Sequence, residues 1–289
     1  MSVVTFAAAQ LLRVLPRSAI SKALGTLCEA QLPAPLAKAV VDTYCRAYDV
    51  ATHEADPSGV PYRSFDAFFT RKLRAGLRNV EGDARTLVSP ADGVLSEIGR
   101  IEPHGAIRVK GQDYTLEELL GDARWARELC GGGFGVVYLS PRDYHRVHAP
   151  VDGEIASVRG IEGDRWPVNS IGERYVRGLF VRNRRVVVEI RSPAFGRVAV
   201  VFVGAMIVGR MTVVGVDQSD VVGAHAIEPP KKIARGDELG AFHLGSTVVF
   251  AVGPESFGAF TRPTGKVAYG QAVAVALRDA SMRDVGRPS

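Results

Sequence analysis

The sequence predicts an α+β protein: a mainly β core of sandwich or barrel-like build, with amphipathic helices at its N-terminus. Three observations carry the prediction. After Leu87, short Val/Ile/Leu-rich runs alternate with Gly, Asp-Gly and Pro turns, the rhythm of successive short strands. Over the first fifty residues the apolar positions instead follow helical spacing, interrupted at Pro16 and around Pro33 and Pro35, where proline ends a helix. Finally, Pro90-Ala91-Asp92-Gly93 is echoed about sixty residues later by Pro150-Val151-Asp152-Gly153, each leading into an alternating strand. Such pairs occur in barrel-like sandwiches built from two related halves, and they also arise simply as two Asp-Gly turns.

In chain order, Ile20, Ala23, Leu24, Leu27 and Cys28 place one apolar face on a helix. The first forty residues carry Arg13, Arg17, Lys22 and Lys38 against Glu29 alone. A basic amphipathic helix suits the interface of an anionic membrane, and it suits equally a helix docked on the core. Residues 52–61, with Pro57, Gly59 and Pro61, read as a linker; the expected division is an N-terminal helical region, 1–60, and a core domain, 61–289. Residues 64–73 resume as a short helix with Phe65, Phe68 and Phe69 on one side. Residues 115–130 are expected as one helix, capped by Thr115 with Glu118 at the third following position. Residues 181–186 read as a hairpin tip with Arg182, Arg184 and Arg185 in solvent. The longest apolar run, 198–209, holds 12 residues between Arg197 and Arg210. A spanning helix needs about 20, so a buried strand is expected there and no transmembrane helix. The apolar stretch 3–12 precedes Arg13 and Arg17, the reverse of a secretory signal.

Composition narrows the function classes. The 289 residues are 46% hydrophobic and 23% charged, which excludes disorder, collagen and coiled coil as the main architecture. Lys and Arg number 36 against 31 Asp and Glu, a mild excess that suits an anionic lipid surface or nucleic acid without choosing between them. Cys28, Cys45 and Cys130 are too few and too scattered for a disulfide framework or a zinc site, so a reduced, cytosol-facing protein is expected.

Several common catalytic motifs are absent. There is no Gly-x-Ser-x-Gly elbow, the glycines at 131–135 lack a following Lys-Ser/Thr, and His145 and His148 lack the His-Glu-x-x-His pattern. Two segments are harder to explain as structure alone. Residues 140–150 pack Arg142, Asp143, Tyr144, His145, Arg146 and His148 into a dense acid–base cluster. Residues 239–249 contain Leu244-Gly245-Ser246-Thr247 ahead of a β-branched strand. Within that segment His243 alternates with Phe242 and Leu244 and is expected at an exposed strand position.

Taken together these motifs identify a resemblance. The chain resembles the phosphatidylserine decarboxylases, self-cleaving, pyruvoyl-dependent enzymes, over nearly its whole length. The resemblance rests on Phe68-Phe69-Thr70-Arg71-Lys72-Leu73-Arg74, the Pro90-Ala91-Asp92-Gly93 turn and Lys110-Gly111-Gln112-Asp113-Tyr114-Thr115-Leu116. It continues through Tyr144-His145-Arg146-Val147-His148, Leu179-Phe180-Val181-Arg182-Asn183 and Leu244-Gly245-Ser246-Thr247. Two departures stand out: Met206 where the family usually has a polar residue, and Ser170 where a histidine is frequent.

The resemblance implies that the chain cuts itself between Gly245 and Ser246, leaving chains 1–245 and 246–289 packed as a heterodimer, with higher oligomers open. Ser246 would become a pyruvoyl group that decarboxylates phosphatidylserine to phosphatidylethanolamine through a Schiff base, with no metal and no pyridoxal phosphate. It implies a self-cleavage triad of Asp92, His148 and Ser246, with Asp152 as the competing aspartate, and a role for His145 in substrate handling and decarboxylation. Gly245 is expected to leave the attack unobstructed and to accept unusual backbone angles. The implied partner is phosphatidylserine in an anionic membrane rather than nucleic acid, met by the N-terminal helices of a peripheral protein on the cytoplasmic face. Met206 and Ser170 leave a different serine-headed lipid or amino-acid substrate open; an inert lipid-binding β module is the remaining alternative.

Overall fold

Val, Ile and Phe occupy both faces of residues 185–190, 198–203 and 248–252, so these strands belong inside a sheet covered on both sides. In the computed structural model, which describes residues 17–109, 111–168, 176–205 and 210–277, they form its centre. The elements at issue are β8 (Arg185–Ser192), β9 (Gly196–Gly204) and β13 (Ser246–Val252). With β2 (Gly93–Arg100), β5 (Gly133–Leu139), β7 (Gly153–Ile161), β11 (Gly223–Ile233) and β15 (Gly265–Val267), they make an antiparallel sheet ordered β11-β7-β8-β9-β13-β5-β2-β15. Strand β13 lies between β9 and β5, and every one of its residues is buried. Gly135 on β5 is required by the register: a Cβ there would sit 2.2 Å from the Phe250 ring of β13.

Three smaller sheets surround this one. They are β1 (Thr86–Val88) with β16 (Ala272–Ala276) and β14 (Phe257–Phe260); β10 (Arg210–Val213) with β12 (Glu238–His243) and β6 (Arg146–His148); and the hairpin of β3 (Ala106–Val109) and β4 (Gln112–Thr115). The protein is α+β, about 41% strand and 20% helix, with no closed barrel among the described residues.

The repeated Pro-x-Asp-Gly turns face each other across a local two-fold relation. Val88 N–H donates to the Pro150 carbonyl at 2.9 Å, and its counterpart His148 N–H donates to the Pro90 carbonyl at 2.7 Å. The carboxylate of Asp92 accepts from Tyr269 N–H at 2.8 Å, and that of Asp152 accepts from Arg235 N–H at 2.8 Å. Gly93 is held at φ 152, where a Cβ would meet the Tyr138 carbonyl oxygen at 2.2 Å, so only glycine lets this turn press against β5.

The α-helices among the described residues are α1 (Arg17–Glu29), α2 (Ala34–Tyr48), α3 (Phe65–Phe69), α4 (Leu116–Leu120), α5 (Ala123–Leu129) and α6 (Leu179–Arg182). Helix α2 docks through Val41 and Tyr44 onto Phe65 and Phe68 of α3, with the Tyr44 and Phe65 rings 4.9 Å apart. Leu27 on α1 and Leu36 and Val40 on α2 remain exposed. No helix among the described residues is long and apolar enough to cross a membrane.

Two local expectations are corrected. The single helix over 115–130 is two, because Gly121 adopts a left-handed φ of 64 and Asp122 caps a new helix through Trp125 N–H. Thr115 does cap the first, accepting from Glu118 N–H at 3.3 Å. The solvated hairpin tip at 181–186 is instead α6 running into β8. Arg184 and Arg185 there are buried, Arg184 against Asp220 and Arg185 on the carbonyls of Leu119, Val181 and Asn183. Guanidiniums satisfy buried carbonyls that would otherwise go unpaired.

Candidate active site

The two chemically dense segments come together in the fold. Strand β6 pairs antiparallel with β12, His148 opposite Glu238 and Arg146 opposite Ala241, so the His145 end of the segment lies toward the Leu244-Gly245-Ser246 corner into which β12 runs; β5 pairs with β13, which begins at Ser246.

His148 is buried between the two related turns. Its Nδ1–H donates to the Gly236 carbonyl at 2.7 Å, which leaves Nε2 as the lone-pair nitrogen. The Tyr144 hydroxyl lies 3.3 Å from Nε2, and the Tyr269 ring stacks on the imidazole at 3.6 Å. Burial pushes this histidine below its ordinary pKa, offset in part by the Gly236 bond and the charges of Glu238 and Asp92. His148 is therefore a neutral imidazole with its basic atom at Nε2.

Asp92 reaches His148 indirectly. Its carboxylate takes Arg78 Nη2 at 2.7 Å and Nε at 3.1 Å, together with the Tyr269 N–H. Arg78 is shared with Glu54 at 2.7 Å. The contact between aspartate and histidine thus runs through Tyr269, whose backbone binds one and whose ring covers the other. Asp152, on the opposite half, holds the Arg235 backbone instead.

Ser246 opens β13, paired with Gly204 and Leu139. It is 1% exposed, and its Oγ has no hydrogen-bond partner among the described residues. A buried hydroxyl without a partner is costly. Leu244, two residues before it, has φ 92, a conformation that strains a residue bearing a Cβ by about 1–3 kcal/mol. The unusual backbone angle expected of Gly245 is therefore carried by Leu244. At Gly245 a Cβ would meet nothing within 4 Å, so that side of the peptide is open.

His145 is fully buried against Phe69, ring centroids 4.1 Å apart. Its Nδ1–H donates to the Asp143 carbonyl at 2.8 Å, leaving Nε2 without a partner among the described residues. Desolvation pushes its pKa down to about 3, with the Arg71 charge acting in the same direction. Its carbonyl accepts from Phe242 N–H of β12 at 3.0 Å.

The exposed position expected for His243 is corrected: its side chain is largely buried. His243 Nδ1 meets Asp66 Oδ1 at 2.7 Å, Asp66 Oδ2 meets Arg210 Nη2 at 3.1 Å, and Arg210 Nε lies 2.8 Å from Glu29 Oε1. The one hint in the sequence is Asp66 itself, a carboxylate among Phe65, Phe68 and Phe69. Tyr269 and Arg78 carried no such hint. Met206 and Ser170 lie outside the described residues.

Comparison with known proteins gives one consistent result. The model of the family described as phosphatidylserine decarboxylase matches residues 65–275. A phosphatidylserine decarboxylase proenzyme of Anaeromyxobacter sp. (strain K) is 40% identical over 250 residues, covering 84% of this chain and 88% of that one. One of Myxococcus xanthus (strain DK1622) is 39% identical over 254 residues, covering 85% and 89%. One of Acinetobacter baumannii (strain AYE) is 37% identical over 238 residues, covering 82% and 83%.

Proposed function

The chain belongs to the phosphatidylserine decarboxylase family, and we propose that it is a proenzyme that cuts itself before Ser246 and then converts phosphatidylserine to phosphatidylethanolamine and carbon dioxide. The observation that carries this reading is the buried Oγ of Ser246, without a hydrogen-bond partner among the described residues, near the strained Leu244 and the open face of Gly245.

Self-cleavage asks Ser246 Oγ to attack the Gly245 carbonyl carbon. The hydroxyl proton passes to a base, for which the neutral Nε2 of His148 is suited; the C–N bond breaks, and the proton goes to the nitrogen of Ser246. An ester now joins the two residues. Loss of the Ser246 Cα proton expels the Gly245 carboxylate and leaves a dehydroalanine end, which water converts to a ketone with release of ammonia. Asp92 supports the base through Tyr269 and through its negative charge, which favours protonated His148.

The position fits a pyruvoyl group, because Ser246 already sits buried at the head of a strand and its Oγ has no hydrogen-bond partner among the described residues. Such a group supplies a carbonyl that takes the substrate amine and accepts the electron pair left when carbon dioxide departs. The role proposed for His145 is substrate handling: its neutral Nε2 lone pair can accept a hydrogen bond from the substrate amine. The cut chains stay together, since β13 hydrogen-bonds to β9 and β5 of the larger piece. The exposed Leu27, Leu36 and Val40 suit a peripheral protein resting on the cytoplasmic leaflet.

Decarboxylation of phosphatidylserine vesicles, with free serine as control, tests the reading. His148→Ala should remain a single inactive chain, whereas His145→Ala should be cleaved and still lose turnover by about a hundredfold or more. Processing and turnover at wild-type rates in both would contradict these roles. Turnover of serine without vesicles would replace the lipid substrate with a soluble one.

A further inference from the structure

Arg71 is the residue whose chemistry the account so far leaves unused. It follows the α3 helix, two positions after Phe69, whose ring packs on His145. It is 6% exposed. Its Nη2 reaches the Arg142 carbonyl at 3.4 Å, its guanidinium lies 5.0 Å from the Phe68 ring centroid, and its Nε has no partner among the described residues. No carboxylate among them lies within ion-pair distance of it. The polar side chains that surround it, Tyr44, Tyr62 and Tyr144, are pushed by burial toward the neutral phenol, so they bring no compensating charge. A buried guanidinium with no anion is expensive, and it is retained where an anion arrives.

Arg71 also faces a place for that anion to sit. It lines a cavity of about 240 Å³ with Arg78, Arg142, Tyr144 and Lys266. Arg78, Asp92, Arg142 and Lys266 also line a neighbouring cleft of about 710 Å³. The carboxylates on these walls are largely committed: Glu54 and Asp92 to Arg78, and Asp143 to the Ser140 N–H and hydroxyl. Asp49 is the C-cap of α2. Arg71 and, at the rim, the exposed Arg142 and Lys266 are left to receive a ligand.

We propose that Arg71 binds the phosphodiester of the substrate headgroup, with Arg142 and Lys266 at the mouth of the same subsite. The choice of phosphate over carboxylate follows from the reaction. A carboxylate held in an ion pair with a buried guanidinium is stabilised in the ground state, which raises the barrier to its leaving as neutral carbon dioxide. The phosphodiester keeps its charge throughout, so holding it costs the chemical step nothing, and Arg71 lies two residues from Phe69, whose ring packs on His145. A guanidinium also matches two phosphate oxygens at once. The inference rests on the proposed function for the source of the phosphate, and its test separates the two.

The experiment uses the full-length, self-processed protein and its Arg71→Met and Arg71→Lys variants. Binding of glycerophosphoserine and of inorganic phosphate is measured by calorimetry, alongside melting temperature and vesicle kinetics. Arg71→Met should still yield two chains and, without probe, melt no lower than wild type, because it relieves a buried charge. It should bind glycerophosphoserine at least about tenfold more weakly, the loss of one charge-assisted contact, and raise KM for vesicles more than it lowers kcat. Arg71→Lys should recover part of both losses. Glycerophosphoserine binding tighter than inorganic phosphate assigns the site to the headgroup; the reverse order overturns that assignment. Unchanged affinity and KM in Arg71→Met, or a lower melting temperature without probe, overturns the subsite and leaves the decarboxylase reading intact. Arg71-dependent binding in a wild-type protein that turns over no vesicles would do the opposite.

Discussion

His145 and His148 sit three residues apart with the same tautomer, each donating Nδ1–H to a backbone carbonyl and keeping Nε2 basic. What separates them is the partner of Nε2: a tyrosine hydroxyl for His148 and, among the described residues, none for His145. Burial holds His145 neutral in the fold, down at about 3 from 6.5, so between those values the unfolded chain binds the extra proton. The stability that follows is complete above about pH 6.5 and is lost as pH falls toward 3, with His148 acting in the same sense. Melting of an uncleaved Ser246→Ala chain should therefore drop between about pH 7 and about pH 5, and His145→Gln should make that drop shallower; an equal slope in both proteins would contradict a neutral His145. The identities of these groups were legible in residues 140–150. Their partners were not, because the Gly236 carbonyl and the Tyr269 ring carry no side-chain signature in a motif.

Elements decide whether the Leu244-Gly245-Ser246 corner is held. Strand β12 ends in His243, and the chain from His243 through Asp66 and Arg210 to Glu29 ties that strand to α3, β10 and α1. Asp66 is buried and held below the usual carboxylate range by its His243 and Arg210 partners against the opposing pull of burial. Asp66→Asn should lower stability by about 1–3 kcal/mol in a denaturant titration of the uncleaved chain. Glu29→Gln, at a half-exposed pair, should cost about 0–1 kcal/mol. Equal effects would contradict the view that the buried end of this chain carries the load. The strands of the core were readable from apolar runs, and the Pro-x-Asp-Gly echo pointed to the two-fold relation now seen in the paired bonds of Val88 and His148. The pairing of β6 with β12 was not readable, since it joins segments some ninety residues apart and nothing local marks long-range register. The same limit explains Arg184 and Arg185, whose local pattern resembles a solvated turn and whose burial depends on α4 and its neighbours.

At the scale of the whole molecule, the lipid reading rests on the cleft that carries Arg71, Arg142 and Lys266 and on an exposed apolar edge. Helix α2 buries Val41 against Phe68 and leaves Leu36 and Val40 outward, with Lys38 beside them. One face of α2 therefore docks on the core, and the acyl-boundary contact proposed for its outer edge rests on the exposed Leu36 and Val40. The double variant Leu36→Ser, Val40→Ser should weaken sedimentation with anionic vesicles by about tenfold, the effect of removing ~1.4 kcal/mol of buried apolar contact. Its melting temperature should stay near wild type, because the changed side chains are already in water; unchanged sedimentation would place the membrane contact elsewhere. The account as a whole turns on Ser246, and the intact mass of the purified protein under denaturing conditions tests it most directly. The expected result is two masses, for residues 1–245 and for 246–289 lighter by one ammonia than a chain beginning with serine, and a single full-length mass for Ser246→Ala. One full-length mass in the wild type, or a cut that persists in Ser246→Ala, would contradict it.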